Sequence, residues 1–284
     1  MSSYTISTAA EFAALMGGSY GYGLAGDYLD VTIASDIDLN DLGTPYNLPN
    51  PGAQAWYIHL NGQGHTISNL YHFGNADFYF FATFTGDIKD ITFKDVSITA
   101  PSIYLFEINN ATSGNYMENI KFSGNLFATG NTVIVYRCFS STSQTNNISR
   151  CSYSGSIEAD NIARVFAGNS GSSQTFTIMG CNAVLDHIYA QTMQIFDTKA
   201  VCCFAIINNL RGNTRTIFSR GSMYSYSVVK AANGAVAYNN TGVSMLYDSD
   251  VAEAGGVTFS GGTGERTTNL HDPTYMATVW GYPS

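Results

Sequence analysis

The feature that most constrains this chain is a period of about thirty residues, visible in short apolar segments rather than in residue identity. Phe106, Tyr136, Phe166 and Phe196 each sit inside a strand-like run, and each lies 30 residues after the last. A second series interleaves with it: Ile91, Ile120, Ile148 and Ile178, spaced 29, 28 and 30 apart. A third follows within each period, as Val96-Ser97-Ile98, Asn125-Leu126-Phe127, Gly155-Ser156-Ile157 and Ala183-Val184-Leu185. Three pieces this short cannot stand as independent hairpins, yet each carries an apolar face that must be covered. Stacking successive coils covers it, with strands paired from coil to coil at about 4.8 Å and like residues in ladders.

The expected fold is therefore all-β, a right-handed parallel β-helix with three short strands per coil and seven to nine coils. Phe93, Phe122, Cys151 and Cys181 form one expected inward ladder. The period loosens outside residues 88–188, with Phe80, Phe81 and Phe84 marking an earlier coil and Phe218 a later one. Residues 1–284 read as one domain, with an N-terminal cap over 1–32, coils over 33–262 and a closing segment over 263–284. Thr8 and Glu11 make a capping box for a short helix over Ala9 to Met16, which is the expected lid on the apolar end of the solenoid.

Composition fits this reading. Only 12% of the 284 residues are charged, about half the usual share, while Gly reaches 28, Asn 24, and Phe plus Tyr 36. Helical bundles, coiled coils and disordered tails are disfavoured. A net charge of -9 argues against a nucleic-acid partner, which needs a basic face, and no run approaches the ~20 apolar residues of a membrane span. The N-terminus shows no signal-peptide pattern, and the five cysteines, an odd number at low density, read as free buried thiols suited to a reducing cytoplasm. The sequons at Asn110, Asn147 and Asn239 are expected by chance in so Asn-, Ser- and Thr-rich a chain.

Four stretches carry a family resemblance. Ile33-Ala34-Ser35-Asp36-Ile37-Asp38-Leu39, followed by Leu60-Asn61-Gly62-Gln63-Gly64-His65-Thr66-Ile67-Ser68-Asn69-Leu70, resembles the opening strand and glycine turn of the GLUG-repeat proteins. The run from Ile88 to Thr99 is similar to their first full repeat, and Asp272-Pro273-Thr274-Tyr275 with Val279-Trp280-Gly281-Tyr282-Pro283 to their closing segment. The naming Gly-Leu-x-Gly signature is absent, Phe80-Phe81-Ala82-Thr83 standing in its place. The resemblance implies a right-handed β-helix of the pectin-lyase-like class, used in adhesins and large extracellular or virion proteins.

Chemistry is harder to read. Glycoside hydrolysis needs two carboxyls about 5 to 9.5 Å apart, and the pairs on one strand face are Asp36 with Asp38, Glu158 with Asp160, and Asp248 with Asp250. The first is expected to face solvent or cap a turn; the other two sit at coil ends. No calcium-binding acidic cluster with a basic neighbour suggests a lyase, His65 reads as a turn residue, and no Gly-x-Ser-x-Gly elbow suggests a serine nucleophile. No catalytic residue, metal site or cofactor is assigned. Aromatic rings stack on sugars, and the candidates for glycan contact are Tyr20, Tyr22, Tyr46, Trp56, Tyr224 and Tyr226, against the alternative that they pack the core. The leading expectation is a non-enzymatic virion protein, a phage tail or head-fibre module for host attachment. Its expected partners are other virion subunits and host surface polysaccharide, with a homotrimer as the expected assembly. A bacterial surface or extracellular adhesin is the second reading, and a polysaccharide-degrading hydrolase or lyase the third.

Overall fold

The computed structural model describes residues 2–108, 115–138, 147–168, 177–197, 199–219, 225–233, 235–239, 245–260 and 263–270. Among the described residues strand dominates, and the pairing is parallel throughout the winding, giving a β-solenoid of about six turns. Turns starting at Trp56, Phe84, Tyr116, Asn147, Thr177 and Lys199 carry strands on every face. Partial turns precede and follow them, and the expected seven to nine coils counted these as well.

Each complete turn has four faces rather than three. The first runs through Ser2–Ile6, Leu29–Ile33, Trp56–Asn61, residues 84–89 and 116–118, Asn147–Ser149, Thr177–Met179 and Lys199–Val201. The second joins Thr66–Ser68 to residues 92–94, 121–123, 152–154 and 182–185, then Phe204–Ile207, Ser225–Val229 and Met245–Asp248. After a bend, the third joins Tyr71–Phe73 to residues 97–99, 125–127, 156–158 and 187–189 and to Leu210–Arg211. The fourth stacks Ile103–Ile108, Thr132–Cys138, Ile162–Gly168, Thr192–Asp197, Thr214–Ser219 and Val236–Asn239.

The core is a set of ladders, and the thirty-residue series is the clearest. Phe81, Phe106, Tyr136, Phe166, Phe196 and Phe218 stack in order, the last four ring pairs with centroids 5.0–5.4 Å apart and planes within 14°. Phe218 joins although only 22 residues separate it from Phe196, because the shorter turn loses residues outside the strands. The Tyr136 hydroxyl, buried with its ring, reaches the Ile120 and Ser152 carbonyls at 3.2 and 2.8 Å, which meets the polar group's need inside the core.

The mixed phenylalanine–cysteine ladder is corrected. Phe122 pairs with Tyr153, and their rings stack at 6.2 Å. Ile148 pairs with Met117 on the first face, one face earlier than the repeat alignment placed it. Cys151 therefore continues the Ile91–Ile120 position, and the cysteines form their own column. The Cys151 amide donates to Cys181 Sγ at 3.3 Å, the Cys181 amide to Cys203 Sγ at 3.4 Å, and the Cys203 amide to Ser225 Oγ at 3.1 Å. Burial pushes the Cys181 thiol well above its ordinary value. All five cysteines are free, and four are buried; Cys202 is exposed.

The N-terminal lid forms as expected. Thr8 and Glu11 make the reciprocal capping box of the helix Ala9–Met16, whose Phe12, Leu15 and Met16 are fully buried. Phe12 meets Phe80 at 6.4 Å, so the helix closes the end of the aromatic core. Ser2–Ile6 already pairs with Leu29–Ile33, so the lid is an insertion within the first turn and the ladders begin before residue 33. At the other end Thr263–Glu265 pairs with Met245–Asp248, and residues 271–284 lie outside the described residues. Phe166 sits mid-ladder with rings 5.0 Å on both sides. Phe166→Ala is expected to cost about 3–5 kcal/mol in denaturant unfolding, and a loss below about 1 kcal/mol would mean that the stack does not support the fold.

Candidate functional site

The outward side of the third face carries a column that alternates ring and polar group from turn to turn. Its order, set by strand register, is Phe73, Thr99, Phe127, Glu158, Tyr189, Arg211. Phe73 is 56% exposed and Phe127 45%, unusual for phenylalanine where eleven of the other described phenylalanines are buried. The lower half is knit together. His187 Nε2 meets Glu158 Oε1 at 2.9 Å, the His187 and Tyr189 rings stack at 4.6 Å, and the Arg211 guanidinium lies 5.4 Å from the Tyr189 ring centre. Asn209 Nδ2 donates to the Tyr189 hydroxyl at 3.2 Å.

Beside this column, where the second face bends into the third, lies an open groove of about 410 Å³. Asp95, Ser123, Asn125, Ser154, Val184 and Asp186 line it, over a floor of Gly124 and Gly155. Both glycines have positive φ, and a Cβ on either would come 2.0 Å from the carbonyl oxygen of the turn before, so the bend itself demands glycine. Both acids stand at bulges. Lys94 and Asp95 together oppose the single Ser123, and Asp186 is the unpaired residue between Leu185 and His187. A bulge turns a side chain away from its ladder, and here it sets a carboxylate at each end of the groove, three turns apart or about 14 Å.

The glycan-contact candidates read from the sequence fall elsewhere, and the assignment of Trp56 is corrected. Trp56 is fully buried, with Tyr22 edge-on at 4.8 Å and Phe81 at 5.3 Å. Tyr20 packs on Tyr4 at 4.6 Å, and Tyr20, Tyr22 and Tyr46 are half-buried against the core. These rings close the N-terminal end. Tyr224 lies outside the described residues, as does the side chain of Tyr226, whose backbone pairs with Phe204 and Leu246. Phe73, Phe127 and Tyr189 were missed as site residues because their outward direction depends on the bend, which periodicity alone does not reveal.

Two of the three carboxylate pairs have structural partners at both acids; in the third, Glu158 meets His187 and Asp160 is exposed. Asp36 accepts from the Thr66 amide at 2.9 Å and from His65 Nδ1 at 3.1 Å, and these bonds hold its carboxyl below the usual range. Asp38 accepts from Asn69 Nδ2 and the Asn40 amide, which lower its carboxyl likewise. Asp248, almost fully buried, caps the helix Ser249–Ala254 through the Val251 amide and accepts the Thr267 hydroxyl at 2.8 Å, while Asp250 accepts the Thr267 amide. That pair ties down Thr267, the first residue of the short helix Thr267–Leu270. Of the histidines, His59 is held by Asp87 under Tyr28, and buried His72 donates to the Leu48 carbonyl at 2.9 Å, its basicity lowered by desolvation. Among the described residues no group of three His, Cys, Asp or Glu side chains could hold a metal ion.

Neither a family model nor a curated protein matches the sequence, GLUG repeats included. Among solved structures the chain is similar to a Bacteroides ovatus protein described as a "putative immunoglobulin A1 protease", at 14% identity and a TM-score of 0.57. The match covers 97% of this chain and 87% of that one. At that identity the likeness shows the β-solenoid fold.

One buried ionisable pair stands apart on the fourth face. Glu107 is 3% exposed and meets Arg137 Nη2 at 2.5 Å from the adjacent turn, with Arg137 also 5.9 Å from the Tyr104 ring centre. Burial lifts the Glu107 carboxyl from 4.5 to about 7, against the pull of Arg137. The folded state thus keeps a proton that the unfolded chain releases near 4.5, and folding loses stability as pH rises from there through about 7. Glu107→Gln has no such proton to lose. Its thermal midpoint, taken relative to wild type, is expected to climb steadily between about pH 5 and 8; a constant difference across that window would show that Glu107 does not titrate there.

Proposed function

We propose that the protein is a non-enzymatic recognition module that binds surface polysaccharide along the third face and its groove. The column Phe73, Phe127, Tyr189, its two phenylalanines exposed and its tyrosine half-buried beside His187 and Arg211, is the observation that carries this reading. Exposed rings flanked by Asn125, Glu158, Asp186, His187 and Arg211 combine apolar faces with hydroxyl-bonding groups, which is what sugar recognition asks of a surface. Asp36, Asp38, Asp248 and Asp250 are spent on turns and a helix cap, which favours binding over catalysis. The setting that best suits such a module with free buried thiols is a phage virion contacting its host; a bacterial surface adhesin is the second setting, favoured by the fold shared with the Bacteroides ovatus protein. The protease name of that protein supplies no nucleophile here and is not carried over.

An array of bacterial capsular, lipopolysaccharide and cell-wall glycans tests the binding reading. At least one glycan is expected to bind, with Phe127→Ala weakening it roughly threefold to tenfold and Asp248→Asn leaving it unchanged. No binding across the array would end the proposal. Shortened glycan products after incubation, lost in Glu158→Gln, would replace it with a depolymerase.

A further inference from the structure

The third-face column has a spacing as well as a composition. Phe73, Phe127 and Tyr189 fall on every second turn, and Thr99, Glu158 and Arg211 on the turns between. Two turns of a parallel solenoid advance about 9.6 Å. That step is commensurate with the disaccharide repeat of an extended β-1,4-linked glycan, in which alternate sugars are flipped and every second one presents the same face. The α-linked glucans coil or bend and do not keep such a register along a straight axis.

Charge narrows the class further. Asp95, Glu158 and Asp186 all lie on or beside the column, the two aspartates at the ends of the groove. Of the cations nearby, Lys94 lies 3.7 Å from Asp95, His187 is bonded to Glu158, and Arg211, the column's own cation, is held at its far end by Asn209 and the Tyr189 ring. A polyuronate or sulfated chain would lie against these carboxylates and be repelled, whereas a neutral chain offers them hydroxyl donors. Resting on the reading of this face as a glycan site, we propose that the column binds an uncharged, extended β-1,4-linked polysaccharide laid parallel to the solenoid axis, one aromatic ring per disaccharide. Glu158 and Asn125 accept and donate to hydroxyls between the rings, and Val184, exposed in the groove, offers a further apolar contact.

Isothermal titration with cellohexaose, mannohexaose, cellobiose, an oligogalacturonate and dextran tests it, with sedimentation run on the same full-length protein. A neutral hexasaccharide that spans three rings is expected to bind at least about tenfold tighter than the disaccharide. Phe127→Ala and Tyr189→Ala should each weaken it roughly threefold to tenfold, Phe127→Trp should restore binding, and Met179→Ala, at an exposed residue of the first face, should leave it unchanged. These side chains are wholly or partly exposed, so unaltered thermal midpoints will show that the variants fold. Equal affinity for disaccharide and hexasaccharide, or preference for the oligogalacturonate or dextran with the same dependence on Phe127, overturns the β-1,4 assignment while leaving glycan recognition standing. Silence toward every sugar overturns both, as does a homotrimer whose assembly is abolished by Phe127→Ala and which binds no sugar, because the column is then a subunit interface.

Discussion

Everything in this molecule follows from pairing each turn to the next at one fixed spacing. Backbone hydrogen bonds run along the axis, so the chain must place similar groups above one another at about 4.8 Å. Aromatic rings satisfy that constraint well, since offset stacking is favourable and the ladder from Phe81 to Phe218 repeats it six deep. Like charges do not. Several charged residues that meet on neighbouring turns have opposite signs, as in Glu107 with Arg137, Glu118 with Arg150, and Asp87 or Glu158 with a histidine, and Asp248 opposite Glu265 is the exception at the C-terminal end. The low charge content is the compositional trace of this rule.

The same rule decides which parts of the fold were legible in the sequence. The ladder of Phe106, Tyr136, Phe166 and Phe196 could be read because its period is constant and its residues are all large. The lid could be read because a capping box is a local pattern. The cysteine ladder was misplaced by one face because Ile148-Ser149-Arg150-Cys151 and Ile120-Lys121-Phe122 look alike while belonging to different faces, and only the register shows that Tyr153, not Cys151, covers Phe122. Short apolar triplets are interchangeable to the eye. The first and second faces were read as one for the same reason.

The site was less legible, for a physical reason. A side chain's direction at a bend is set by the glycine and the bulge around it, and Gly124, Gly155, Asp95 and Asp186 carry no signal until the turns are aligned. Rings conspicuous in sequence, such as Trp56 and Tyr22, proved to be packing, while Phe127 looked like one more core residue. In a solenoid an aromatic residue is expected inside, so the informative ones are those that the winding turns outward.

Regularity and function are therefore separated in space. Within a ladder one extra residue reverses the inward set, and on the fourth face the register shifts only beside Phe81 and Phe218, near its two ends. The bend between the second and third faces admits bulges, since the strand changes direction there and an unpaired residue interrupts no core position. Asp95 and Asp186 occupy those places, and Val96 and Leu185 beside them remain buried in the ladders that flank the bend. A solenoid can thus vary its surface chemistry at its corners at little cost to its core. The column Phe73, Phe127 and Tyr189 inherits from the core the one property that chance placement of surface rings would lack, a repeat distance fixed by the backbone itself.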